Sequence, residues 1–209
     1  MSSSRSRSKK LGSRLLGEGQ WLYLEEIDYC DHNGVHHTWE SAARQGGRGA
    51  VVIIPRLRPS GDYILIRQYR PPCDGYVLEF PAGLVDSGES PETTAVRELK
   101  EETGYTGVIT SVSPQVIASA GFSKEAFHFI GMDVDETVSA NQLPAQECEV
   151  NEDIAVLIVP AGRAVDVLKE SAARGDYLDS RLVSYFLGQS ASQQAPSPET
   201  PPTSRPYHS

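Results

Sequence analysis

The chain has 209 residues, 39% of them hydrophobic and 22% charged, which suits one soluble globular domain with tails and a substantial buried core. Its net charge of -9 and pI near 5.0 argue against a nucleic-acid backbone as main partner, because that partner calls for a basic surface, whereas free anionic nucleotides stay open where local arginines and metal ions offset the field. Cys30, Cys73 and Cys148 form no zinc spacing or disulfide framework, and neither a membrane-length apolar run nor a signal-like start is present, so an intracellular, cytoplasmic chain with reduced thiols and no membrane partner is expected.

The basic, serine-rich stretch Ser2–Lys10 cannot bury enough apolar surface to offset the entropy of ordering, and a structureless tail over residues 1–16 is predicted. Read instead as an address, the same stretch leaves a nuclear location open. Strands follow at Trp21–Asp28, Val35–Ala42, Ala50–Leu57, Tyr63–Tyr69 and Tyr76–Phe80, each rich in β-formers and bounded by Gly, Pro, Asn or Asp. Asp31-His32-Asn33-Gly34 is a hairpin turn between the first two. A helix is expected from Pro91 to Thr103, with Ser90 as N-cap, Glu92 at the positive end of the dipole and Gly104 as the stop. Beyond it, Val108–Val116, Ala126–Val134 and Ile154–Val159 read as strands, then Ala164–Ala173 and Ser180–Leu187 as helices. Strands and helices do not alternate regularly, which makes the class α+β with a mixed sheet. The Ser/Gln/Pro-rich stretch 188–209 is expected to be a second structureless tail.

Within the central helix, Ala95, Val96 and Leu99 fall on one stripe and are expected to face the core, while Glu98, Glu101 and Glu102 fall together on another. Carboxylates at such spacing repel one another, so the stripe is either a solvated acidic face or a cradle for a hard divalent cation, which takes oxygen ligands. The context decides for the cation. Gly83, five residues, Glu89, seven residues, then Arg97-Glu98-Leu99-Lys100-Glu101-Glu102-Thr103-Gly104-Tyr105 matches the Nudix box at its seven fixed positions. At ordinary residue frequencies the chance of that match is on the order of one in a million. Tyr105 stands where an aliphatic residue is usual, a site that an aromatic ring can also fill.

The resemblance extends over about Gly17 to Leu187 and is to the ADP-ribose/ADP-sugar pyrophosphatase branch of the Nudix hydrolases. Gln68-Tyr69-Arg70-Pro71-Pro72 and Glu79-Phe80-Pro81-Ala82-Gly83 resemble the segment leading into the box. Trp21, Tyr23 and Thr38-Trp39-Glu40 with Arg44 resemble the adenine-binding N-terminal region, and Asn151-Glu152-Asp153-Ile154 the later loop that carries a catalytic glutamate. One departure is Ala120, where many of these enzymes have a proline before the loop glycine, here Gly121.

The resemblance implies a Nudix fold whose mixed sheet lies between helices. It divides the chain into a β-region at 17–45 for dimerisation and adenine binding, and a hydrolase domain at 46–187. It implies Mg²⁺, two or three ions with Mn²⁺ as a substitute, held by Glu98, Glu101, Glu102 and the carbonyl of Ala82. Glu101, Arg97 and the base Glu152 are the implied catalytic residues, with Arg97 paired to Glu89. Glu147 and Glu149 compete with Glu152, because Gln146–Asp153 holds four acidic residues. Substrate contacts are expected from Trp21, Trp39, Glu40, Arg44, Arg70, Leu84, Ser119 and Gly121, within a homodimer that exchanges its N-terminal regions. The two tryptophans could equally be core residues of their strands. The implied reaction turns ADP-ribose into AMP and ribose 5-phosphate. The alternatives are another substrate, such as a UDP-sugar, an oxidised nucleotide or a dinucleotide, and a binding module without activity.

Overall fold

A computed structural model of the chain describes residues 7–47 and 49–194. Two sheets are formed. The smaller is an antiparallel meander of β1 (Lys9–Glu18), β2 (Leu22–Cys30) and β3 (His36–Arg44). The turn between β2 and β3 is the expected one: Asp31 Oδ1 accepts from the N–H groups of Asn33 and Val35, at 2.8 and 2.9 Å, and Gly34 takes φ +86°.

β1 corrects the sequence expectation, since residues 9–16 were assigned to a structureless tail. Composition missed what pairing supplies: Arg14 lies 2.7 Å from Glu26 and Lys10 3.8 Å from Glu25, so the basic residues find acidic partners across the strand pair. The part of that tail before Arg7, and the polar tail beyond Gln194, lie outside the described residues.

The larger sheet is mixed. Its main path runs β12 (Tyr177–Leu178), β6 (Gly75–Glu79), β5 (Tyr63–Arg70), β4 (Ala50–Arg58), β10 (Ala126–Asp135) and β8 (Val108–Val112). β11 (Ile154–Val159) joins β5, β7 (Ala82–Leu84) joins β4, and β9 (Val116–Ile117) joins β10. β4 and β10 pair in parallel, whereas β5 is antiparallel to β4, β6 and β11. The strand expected at 108–116 is split into β8 and β9 across Ser113–Gln115.

Both faces of this sheet are covered, which explains why its strands read as continuous apolar runs. On one face Val52, Tyr63, Leu65, Leu78 and Phe80 pack with α3 (Ala164–Ala173) and α4 (Ser180–Gln194). On the other, Val51, Ile53, Ile64, Ile130 and Met132 pack with Ala95 and Leu99 of α1 (Pro91–Thr103). A one-turn helix, α2 (Ser139–Gln142), follows β10. α4 extends past the expected end at Leu187, and Gln189 earns its place by accepting from the Tyr63 hydroxyl at 2.9 Å. No helix among the described residues is long and apolar enough to cross a membrane.

α1 has the predicted ends. Ser90 Oγ accepts from Thr93 N–H at 3.2 Å, Pro91 opens the first turn, and Gly104 closes the last with φ +77°. Val96 is the misplaced residue: it is 45% exposed, and the buried row is Ala95, Leu99, Glu102 and Thr103. Steps of four and three residues keep that row facing the sheet, and Val96 lies about 100° away from Ala95 around the axis.

Gly104 carries a second constraint, because a Cβ there would come within 2.5 Å of the Ala145 backbone nitrogen. Gly104→Ala should therefore cost more than the roughly 1–2 kcal/mol of a left-handed alanine. Urea unfolding of the variant against the parent chain measures it.

Candidate active site

The carboxylate stripe of α1 forms one wall of a cleft of about 600 Å³. The rest of its lining is β7 and the segment from Leu84 to Glu89, the end of β5 with Gln68 and Arg70, Arg44 from β3, and the acidic loop with Glu147, Glu149 and Glu152. Residues far apart in sequence are assembled here by backbone accounting. The last carbonyls of α1 have no partner inside the helix. The loop supplies donors to them: Gln146 Nε2 to Glu102 O at 2.6 Å, Glu147 N–H to Glu101 O at 2.8 Å, and the Cys148 thiol to Glu101 O at 3.7 Å. Anchoring the loop there brings its glutamates over the helix stripe.

Glu102 follows Leu99 by three residues, and so shares the buried row and is only 2% exposed. Its Oε2 accepts from the Ala82 N–H at 3.0 Å, which ties α1 to β7. Burial drives the Glu102 carboxyl well above the usual range, the Ala82 N–H opposes that, and the charges of Glu98, Glu152 and Glu79 add to it. The Glu98 carboxyl is pushed up to about 7, chiefly by burial and further by Glu101 and Glu152, against the pull of Arg97.

Arg97 holds the acidic surface together. Its Nε and Nη2 reach Glu89 at 3.3 and 3.2 Å, and its Nη1 donates to Glu98 at 2.9 Å and to Glu101 at 2.8 Å. Thr94 Oγ1 donates to Glu89 at 2.8 Å as well. The Arg97–Glu89 pair is thus present as expected, inside a larger network.

Among the described residues no three acidic side chains already meet at one point, since Arg97 bridges Glu98 and Glu101. The donor set nevertheless fits a hard divalent cation. Gly83 is the clearest sign: a Cβ on it would lie 1.9 Å from Glu98 Oε1, so the loop is a cradle that only glycine leaves open to this carboxylate. A cation there would offset the burial, and the lesser mutual repulsion, that raise both carboxyl groups.

The cleft brings together Ala82, Leu84, Arg97, Glu98, Glu101, Glu102, Glu152, Arg44 and Arg70 of the predicted site. Arg44 and Arg70 are each anchored through Nε. Arg70 Nε donates to Glu79 at 2.9 Å, and Arg44 Nε to Glu125 at 2.9 Å. Burial pushes the Glu79 carboxyl up, against the pull of Arg70.

Trp21, Trp39, Glu40, Ser119 and Gly121 do not line this cleft. They gather on and around the small sheet, where Trp39 Nε1 donates to Gly121 O at 3.1 Å and the loop backbone of Phe122 and Lys124 bonds to Ala42. Trp21 is 71% exposed and Trp39 50%, which excludes the core reading within one chain. Residues of the site that have no role from sequence include Gln68, Glu79, Glu125 and Asp86, which lies 3.8 Å from Arg97. The available signal for the first two was a polar residue in the buried alternation of a strand.

A family model described as the NUDIX domain matches residues 47–156. The ADP-ribose pyrophosphatase of Saccharomyces cerevisiae is 36% identical over 177 residues, covering 81% of this chain and 77% of that protein. The ADP-sugar pyrophosphatase of Mus musculus is 34% identical over 181 residues, 83% of each. A crystal structure of an ADP compounds hydrolase superimposes with a TM-score of 0.69 over 92% of this chain and 98% of that one; at 23% identity this shows a shared fold.

The raised carboxyl groups give a signed pH dependence. A glutamate whose folded pKa exceeds its unfolded value favours the folded state below the unfolded value, and that contribution is lost as pH rises through the folded one. With divalent cations chelated, stability should therefore fall from about pH 4.5 to above 7 as Glu98 and Glu102 ionise. Added Mg²⁺ should raise the melting temperature more at pH 8 than at pH 5, which thermal scans across that range will show.

Proposed function

The chain belongs to the Nudix hydrolase family, and from that premise we propose that it hydrolyses the diphosphate linkage of ADP-ribose and related ADP-sugars, giving AMP and ribose 5-phosphate or the matching sugar phosphate. The observation that carries this reading is one cleft lined both by the α1 carboxylates and by Arg44 and Arg70. Acceptors for a cation and guanidinium donors for phosphate oxygens in one cleft suit a diphosphate that binds together with a metal ion.

A diphosphate phosphorus is shielded by negative oxygens, so the reaction needs charge neutralisation, an in-line water and removal of that water's proton. Bound Mg²⁺, with Mn²⁺ as a substitute, supplies the charge and a more acidic water. Glu98, Glu102 and Glu101, with the carbonyl of Ala82, would hold it. Glu152 is assigned as the general base: it stands outside the helix stripe yet acts electrostatically on Glu98 and Glu102, and its Oε2 accepts from Glu149 N–H at 2.9 Å. Arg97 keeps the stripe and Glu89 in register. Arg70, fixed through Nε, keeps its other nitrogens for phosphate oxygens.

Trp21 and Trp39 are assigned to the adenine, with Glu40, Arg44, Leu84, Ser119 and Gly121 as further contacts. The tryptophans and Leu15 and Leu22 leave apolar surface on the small sheet, which supports a homodimer whose partner covers it.

Hydrolysis of ADP-ribose in ¹⁸O-water with Mg²⁺, beside UDP-sugars and oxidised nucleotides, tests the assignment. AMP and ribose 5-phosphate with ADP-sugars preferred is expected; a preference for a UDP-sugar overturns it. Glu98→Gln should abolish turnover without loss of fold. Trp21→Ala and Trp39→Ala should each raise KM for ADP-ribose by roughly 5- to 150-fold, because stacking on a base is worth about 1–3 kcal/mol. The change in kcat should be small, since stacking on the base is uniform binding made away from the bond that breaks.

A further inference from the structure

Gln68 lies in β5 among apolar neighbours. Strand alternation sends Tyr63 and Leu65 toward α3 and α4, and puts Ile64, Ile66, Gln68 and Arg70 on the face that α1 covers. The row is thus apolar in the core and becomes polar where it enters the cleft. Gln68 is 7% exposed, and its Oε1 is sealed from solvent with no hydrogen-bond partner among the described residues. It borders the cleft with Glu98, Glu102 and Glu152, all of which are acceptors only once ionised. A buried acceptor in a residue that lines the cleft beside other acceptors is a cost to folding unless something that enters the cleft brings a donor within its reach.

A hydrated divalent cation does bring one. We propose that Gln68 is a positioning residue whose Oε1 accepts a hydrogen bond from water carried by the cation at Glu98 and Glu102, fixing how that water is held. The inference rests on the cation site proposed above, but not on the identity of the nucleotide. Partners of this kind outside the ligand set itself commonly matter 10- to 100-fold, in affinity or rate.

The experiment measures Mn²⁺ binding to the nucleotide-free protein, thermal unfolding without the cation, and kcat and KM for ADP-ribose, in Gln68→Leu and Gln68→Glu. Leucine removes the unpaired acceptor and leaves a shape close to the original. The expected result is an unchanged or higher melting temperature, with Mn²⁺ affinity about 10- to 100-fold weaker and a loss in kcat larger than any change in KM. Glutamate keeps an acceptor oxygen and should bind Mn²⁺ at least as well as the parent. Unchanged Mn²⁺ affinity in Gln68→Leu overturns the proposal, as does loss of binding in Gln68→Glu, which would mean that the amide acts as a donor. Should Gln68→Leu not fold, Gln68→Met carries the same two outcomes. A parent protein that binds Mn²⁺ through Glu98 but leaves ADP-ribose intact sinks the substrate assignment and leaves Gln68 standing; one that binds no Mn²⁺ sinks both.

Discussion

Glu102 is the point at which fold and chemistry cannot be separated. Helical geometry that buries Leu99 against the sheet also buries the residue three places on, and that residue is a carboxylate. An ionised carboxyl in that position is tolerable only with compensation. The Ala82 N–H provides part of it, which fixes β7 against α1. Arg97 acts at the other end of the stripe by bridging Glu89, Glu98 and Glu101. What remains uncompensated keeps the Glu98 and Glu102 carboxyl groups above their usual range, chiefly through burial, and is what a bound cation would offset.

The other walls of the cleft follow from demands that have nothing to do with chemistry. The end of α1 leaves carbonyls to be satisfied, and the acidic loop satisfies them, so its glutamates arrive over the stripe. β5 must bury one face under α1, and the same face, continued two and four residues past Ile66, delivers Gln68 and Arg70. Arg44 comes from the small sheet, which is tied to the loop after β9 by Arg44–Glu125, Lys124–Glu25 and the Trp39 contact to Gly121. The cleft is therefore built on rigid elements from three parts of the chain, as precise positioning requires.

The overall charge of -9 is no obstacle to an anionic substrate. The cleft has its own distribution, lined by the α1 carboxylates and also by Arg44, Arg70 and Arg97. Arg44 and Arg70 are each held by an acidic partner through Nε, which restrains the guanidinium.

Reading the chain without its structure was enough for whatever depends on short-range chemistry. The ends of α1 are legible because capping is local, and the spacing from Gly83 to Gly104 is legible because one helix and the loop before it carry most of the groups to which we assign the chemistry. β11 and α3 also fall where their patterns put them. Composition failed for residues 9–16, because a strand can be stabilised by cross-strand ion pairs without burying much. The pattern misplaced Val96, since three apolar residues fit more than one stripe until the sheet selects one. Only tertiary structure could show that Glu102 is buried, that both tryptophans are exposed, that Glu79 and Glu125 hold the arginines, and that Gln68 has an unpaired oxygen in the cleft. Each of these is a property of surfaces meeting, and no residue's own neighbours in sequence record it.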